Sequence, residues 1–293
     1  MSLSSEIKTI NAAEKGLHIM TDDEVRKLTG ILLEMCVFLQ NVSQEMNIQW
    51  GLCGGSALGA IRHKGFIPWD DDIDICMTRQ NFAKLKDYFE NHDTGKYKLQ
   101  IPGDTGYYCH YPRIVDTSKS LITLRTIGEG FVFLDIYLIE DTYDNRIKRY
   151  AHGIECTYYL FVISCLLTHI SKENLIKYGT PKLIRQVKLR DLFSILFRSK
   201  RIEEWIADAY KVFSKANNPD SQFVCIPSGA KHYFGEIYSR EDICEYKFVP
   251  FENKQLPVPV NTDHYLKTRY GNDYMMIPDE KHKERHVIVS CSL

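Results

Sequence analysis

Between Gly51 and Met77 the chain reads GLCGGSALGAIRHKGFIPWDDDIDICM, and no other stretch so narrows what it can fold into. Two adjacent glycines, a hydroxyl, the basic run Arg62-His63-Lys64 and four aspartates fall within one strand–turn–strand length. Removing an isolated carboxylate from water costs on the order of several kcal/mol, so a core cannot hold such a set unpaired. Something cationic must meet these acids, and a divalent metal is the strongest candidate.

From Asp72 the order is acid, apolar, acid, apolar. On a strand this sends Asp72 and Asp74 to one face and Ile73 and Ile75 to the core. Two carboxylates so spaced suit a hard cation such as magnesium, with manganese as an alternative. Asp70 joins the same face if the strand begins early, and Asp71 is expected to point away. The competing reading is a solvated acidic turn with incidental alternation. Upstream, Gly54-Gly55-Ser56 lets the backbone turn sharply, with Ser56 expected to cap a helix over 57–62 whose first amides could meet phosphate oxygens. Alone the triplet is an ordinary turn; its place just before a basic run and an acidic cluster gives it weight. His63 reads as structural, because nothing places it as a base.

Thr21-Asp22-Asp23-Glu24 is a capping box, and Leu28, Leu32, Met35, Leu39, Val42 and Met46 then recur at helical spacing. A short buried strand is expected over 48–53. Thr78 should cap a helix with Phe82, Leu85 and Phe89 inward. Strands are expected over 97–101, 107–115, 121–125 and 131–138. The last, FVFLDIYL, is apolar except for Asp135. A lone acid in a buried strand needs a partner. Either it is a third ligand to the metal of Asp72 and Asp74, or it pairs with an arginine such as Arg113.

From 145 to about 217 the texture is helical, with 154–170 expected to be a buried helix. Over 177–201 eight basic residues face one acid, Asp191, and apolar residues interleave with them. Such a segment can lie on an anionic membrane or simply cover the core. Short strands should follow over 248–261, then a helix over 263–275 stopping near Gly271, then the polar tail KHKERH. Three regions are therefore expected: a catalytic core over 1–144, a helical region over 145–218, and a segment over 219–293 that packs back on the core and completes the site.

The 37 Lys and Arg against 38 Asp and Glu argue against a generic nucleic-acid binder. Ser2 to Lys15 shows no signal-peptide pattern, and the longest strongly apolar run, Tyr158 to Leu167, is short for a membrane span. Nine scattered cysteines without a CxxC pair suggest reduced thiols in a cytoplasmic protein, with Cys53 and Cys76 acting as small buried hydrophobes.

GGSALGAIRHKGFIPWDDDIDI closely resembles the signature of the LicD phosphotransferases, as do FLDIYLIE, FENKQLPVP and YLKTRYGNDYM farther on. One departure is FLDIYLIE, where many members have Asp-Ile-Phe-Pro-Leu-Asp. The resemblance implies an α+β, nucleotidyltransferase-like fold: a mixed β-sheet core flanked by helices, with a largely helical insertion. It also implies that Gly54, Gly55 and Ser56 form the phosphate turn and that Asp72, Asp74 and Asp135 are catalytic magnesium ligands. Members move a phosphorylated alcohol, often phosphocholine, from a CDP-activated donor to a cell-surface glycan precursor, releasing CMP; fukutin-related relatives use CDP-ribitol.

Phosphoryl-transfer chemistry needs the donor's diphosphate neutralised and the acceptor aligned, as at a two-metal site. Arg62 and Lys64 are the expected positive charges, Asp70 is placed to order a water on the metal, and Asp135 could help accept the acceptor proton. Arg113 and Tyr270 complete the expected substrate contacts, although a helix C-cap is the simpler account of Gly271. A nucleotidyltransferase that attaches AMP or another nucleotide, and an inactive binding module, are the alternatives. The partners expected are a CDP-alcohol and a glycan or lipid-linked glycan, with peripheral contact at the inner face of the membrane, and no nucleic acid.

Overall fold

The computed structural model describes Ile7, Ile10 and residues 15–279 and 287–293. The KHKERH tail and most of the Ser2–Lys15 stretch lie outside the described residues. Helix α1, Asp22–Met46, begins at the expected capping box. The Glu24 amide donates to Thr21 Oγ1 (3.2 Å), and the Thr21 amide donates to Glu24 Oε2 (2.8 Å). Its stripe of Leu28, Leu32, Met35, Leu39 and Val42 is buried.

Strand β1 is only Gly51–Leu52, shorter than the 48–53 expected, and helix α2, Gly54–Arg62, starts directly after Cys53. A loop then leads to β2, Asp74–Thr78. Thr78 caps α3, Arg79–Asn91, by accepting from the Asn81 amide (3.3 Å). Strand β3 is Tyr97–Gln100, and one strand, β4 (Arg113–Thr123), replaces the two expected over 107–125. Pro112 has no amide for a ladder bond, so Tyr107 to Tyr111 stay in a loop. The 118–120 stretch is absorbed as an irregularity between Asp116 and Ser120 rather than a turn. Strand β5 is Phe131–Asp141.

Three helices follow: α4 (Arg146–Tyr178), α5 (Pro181–Ser194, continued by a 3₁₀ turn Ile195–Phe197) and α6 (Ile202–Phe213). The buried helix expected over 154–170 is buried on one side only. Cys156, Val162 and Ile163 pack against α6, whereas Ile154, Tyr158, Phe161 and Ile170 are exposed, because among the described residues that side meets little more than Phe193, Phe197 and Trp205. The whole of α4 is also longer than its most apolar run. By length and composition it is able to cross a membrane, with 44% of its most apolar window buried within the protein.

Strands β6 (Phe223–Cys225) and β7 (Ile237–Ser239) flank the short helix α7, His232–Gly235, and were not foreseen. After α8, Arg240–Ile243, comes the hairpin of β8 (Tyr246–Phe251) and β9 (Lys254–Pro259). Helix α9, Thr262–Tyr270, is closed by Gly271 at φ +95°, and strand β10 is Ile288–Ser292. The main sheet runs β1-β2-β5-β4-β10, with β3 also on β4 and β6–β7 extending from β5. Only β2 and β5 pair in parallel among the described residues; the other ladders are antiparallel. This is a mixed α+β fold, its core formed where α1, α2 and α3 pack on the sheet.

Candidate active site

The parallel pairing places Asp74 directly beside Asp135, and the antiparallel pairing on the other side places Arg113 beside Asp135. Residues in register share a face of the sheet, so these three side chains emerge together although 61 residues separate the two acids. The Arg113 guanidinium clasps Asp135 through Nε and Nη2, the latter at 3.2 Å, and lies 3.8 Å from the centre of the Phe133 ring. Burial alone would push this guanidinium toward neutrality, but the Asp135 carboxylate, together with Cys109, Tyr111 and Tyr107, outweighs it and holds the charge. The arginine pairing considered from the sequence is therefore present.

Just before β2, carboxylate oxygens of Asp70, Asp71 and Asp72 all lie within 4.8 Å of one another. This corrects the expectation that Asp71 points away. The strand begins at Asp74 rather than Asp72, so strict alternation does not govern the loop before it. Ile73 and Ile75 are nevertheless fully buried, while Asp72 and Asp74 stay partly accessible. Burial, then the charges of Asp72, Asp135 and Asp70, raise the Asp74 pKa well above the ordinary aspartate value.

The glycine turn is fitted to these acids. A Cβ on Gly54 would stand 2.8 Å from Asp74 Oδ2, and one on Gly55 would stand 2.7 Å from Asp70 Oδ2. Gly54 also has φ +53°, in the left-handed region that disfavours other residues. Its amide donates to the buried Tyr265 hydroxyl (2.8 Å). The Gly55 and Ser56 amides belong to the first helical turn and have no intrahelical acceptor. Ser56 is not the cap that the sequence suggested: Cys53 occupies that position, because the helix starts three residues early. The buried Ser56 hydroxyl instead accepts from the Asp74 amide (2.9 Å), tying the helix to the strand that carries the acid.

The expected basic residues are arranged differently from one another. Arg62 Nη1 donates to the carbonyls of Tyr274 (3.1 Å) and Met276 (3.0 Å), so it fastens the segment after α9. Lys64 sits at an exposed turn with φ +58°. His63 meets the edge of Trp69, in keeping with a structural part. Tyr270 ends α9 close enough to Asp74 and Asp70 that their charges, after burial, raise its hydroxyl pKa.

Arg269 was missed. Its guanidinium bonds Glu236 (3.1 Å), and its charge also reaches Asp74. The two line a narrow, polar cleft with Gly54, Asp74, Tyr137 and Tyr265. The only trace of Arg269 in the sequence is a basic residue in the last turn of YLKTRYG, which a helix dipole would equally explain. Glu236 and Tyr265 gave no signal, since nothing local ties them to the acids.

A cluster of hard oxygen donors, beside an Asp74 pushed toward protonation by burial and by its neighbours, fits a magnesium ion. The acids whose oxygens lie close enough to share an ion are Asp70, Asp71 and Asp72. Asp74 and Asp135 stand level with each other on β2 and β5, outside that group, and Asp135 is held by Arg113.

An acid-bearing parallel strand pair beside a glycine-led helix is the plan of a nucleotidyltransferase-like domain. Residues 47–152 match the family described as LicD/FKTN/FKRP, nucleotidyltransferase domain, and the chain carries a LicD-family domain there. It is 26% identical over 286 residues to the lipopolysaccharide cholinephosphotransferase LicD of Haemophilus influenzae, covering 90% of this chain and 96% of that protein. It is 23% identical over 152 residues to an uncharacterized protein of Rickettsia prowazekii, covering 46% of this chain and 53% of that one.

Proposed function

We propose that this protein transfers a phospho-alcohol, phosphocholine in the first instance, from a CDP-activated donor to a hydroxyl of a cell-surface glycan precursor. CDP-ribitol and CDP-glycerol are the other donors to try. The observation that carries the reading is the near full-length similarity to a lipopolysaccharide cholinephosphotransferase, with the acids and the glycine turn both inside the matched domain. The absence of paired cysteines among the nine supports a reducing, cytoplasmic setting.

Magnesium, held by Asp72 and Asp74 with Asp70 or Asp135 alongside, would supply the charge that neutralises the donor's diphosphate. The Gly55 and Ser56 amides, which have no intrahelical acceptor, would donate to the same oxygens. Arg269 adds fixed positive charge at the cleft wall, a part for which Arg62 is less suited because its Nη1 already serves two carbonyls. The acceptor oxygen forms a bond to the phosphorus bearing choline as the bond between the two phosphates breaks, and CMP leaves. The hydroxyl proton passes to a carboxylate. Asp74 is better suited to take it than Asp135, whose oxygens Arg113 already holds.

Incubation with labelled CDP-choline, magnesium and a glycan acceptor should yield CMP and labelled acceptor in equal amounts. The family's description as a nucleotidyltransferase domain favours one second reading, nucleotide transfer from ATP to a small molecule or protein. Pyrophosphate from ATP, with no CMP from any CDP-alcohol, would establish that reading and end the first.

A further inference from the structure

Helix α4 turns a continuous apolar face to solvent. Ile147, Tyr150, Ile154, Tyr158 and Phe161 follow at spacings of three and four, which places them on one side of the helix, and all are exposed, Ile147 by 81%. Between Tyr150 and Ile170 the sole residue of the Asp, Glu, Lys and Arg types is Glu155, which lies off this face and pairs with Lys215. The face continues onto the neighbouring helix. Phe161 meets Phe193 of α5 at 5.9 Å between rings, and Leu189, Leu192 and Leu196 (71% exposed) extend the patch through the 3₁₀ turn.

The charge beside this face is mainly basic, with Asp144 just before α4 and Glu173 near its end as the exposed acids. The exposed Lys182, Arg185 and Lys188 occupy the first turns of α5, on the side that becomes apolar at Leu189, and Arg146 is exposed at the start of α4. The one acid on α5, Asp191, is taken up by His169 (2.5 Å), Lys172 (3.2 Å) and Arg198 (3.0 Å).

We infer that this ridge docks the protein on an anionic lipid bilayer, lying in the interface rather than crossing it. Apolar side chains of this size rimmed by lysine and arginine match the acyl boundary and the phosphate layer together. Crossing is disfavoured because the opposite side of α4 buries His152 and packs Cys156, Leu160 and Ile163 against α6. A second copy is a poorer occupant: a two-fold contact through this face would bring its basic residues toward their own counterparts. The ridge also reaches the cleft. Tyr150 lies 5.4 Å from Phe234 of α7, and the cleft wall includes Gly229 and Glu236 on either side of that helix. A membrane-held substrate would therefore arrive beside the acids.

The test is sedimentation of the full chain with vesicles, without nucleotide or metal, so that its result is independent of the transfer reaction. Binding is expected with equimolar phosphatidylcholine and phosphatidylglycerol, weaker with phosphatidylcholine alone, and diminishing as salt rises. Arg185→Ala with Lys188→Ala should weaken it roughly 25-fold, about fivefold for each charge. Leu192→Glu with Leu196→Glu, and separately Ile147→Asp, should abolish it while circular dichroism melts stay as in the wild type. No binding at low salt, or binding indifferent to both the charge and the apolar variants, overturns the inference. So does a dimer that binds no vesicles and that the apolar variants split.

Discussion

Replacing Gly55 with alanine separates the site from the fold more cleanly than removing an acid. The added Cβ would stand 2.7 Å from Asp70 Oδ2, whereas carbon and oxygen in close contact sit at roughly 3.3 Å. The carboxylate must therefore withdraw by about 0.6 Å, or the helix start must shift by as much. Magnesium holds its oxygens near 2.0–2.1 Å with little angular tolerance, so a displacement of this size costs a ligand or its ordered water. The backbone at Gly55 is ordinary helix, and alanine is up to about 1 kcal/mol better there than glycine. The expected result is unchanged or slightly higher stability in urea, with magnesium-dependent stabilisation and CMP release each down about tenfold or more, the worth of about 1.4 kcal/mol. Gly54→Ala should differ. At φ +53° a side chain adds roughly 1–2 kcal/mol of backbone strain, and the new Cβ meets Asp74, so stability and turnover fall together. A Gly55→Ala protein with wild-type magnesium response and turnover would refute the fitted-cradle argument.

Asp74→Asn should lower turnover by at least ~10³-fold, yet leave metal-free melting equal or higher, because it takes one charge from among Asp70, Asp72 and Asp135. A metal-free protein clearly destabilised by this change would contradict that crowding. Arg113→Met leaves Asp135 buried without its partner and should cost about 3 kcal/mol in chemical denaturation; adding Asp135→Asn should restore part of it. Tyr265→Phe removes the acceptor of the Gly54 amide and should cost about 1–2 kcal/mol, and a neutral effect would mean that water replaces the hydroxyl. Asp191 has its pKa lowered, first by the His169 hydrogen bond, so its contribution is present above the ordinary aspartate value of 3.8 and lost as pH falls through the lowered one. The stability gap between wild type and Asp191→Asn should accordingly be open near neutrality and close in strong acid; a gap that does not change with pH would assign it to packing.

What could be read in the sequence was whatever short-range chemistry announces. The Thr21 capping box, the Thr78 cap and the Gly271 stop are local and stand where expected. The alternation around Ile73 and Ile75 survives as burial even though the strand starts late. Strand pairing is not local, and so Arg113 could be named as a partner for Asp135 but not chosen. The register of β4 on β5 decides it. The same holds for Arg269 and Glu236, brought to Asp74 by a helix and a strand end that share no pattern with the acidic loop. Hydrophobicity misled once, along α4. An almost uncharged stretch reads as buried all round, and only the exposure of Ile154, Tyr158 and Phe161 reveals its open side.

Strand β10 lies antiparallel on β4 over Thr123 to Ser120, and His18 bridges to Ile288 in the same region. Cys291 comes within 3.6 Å of His18 and 3.5 Å of Glu24, so the last strand is hemmed against the threshold of α1. Trimming those final residues would strip β4 of its cover and leave a row of unmatched amides and carbonyls that a neighbouring chain could adopt.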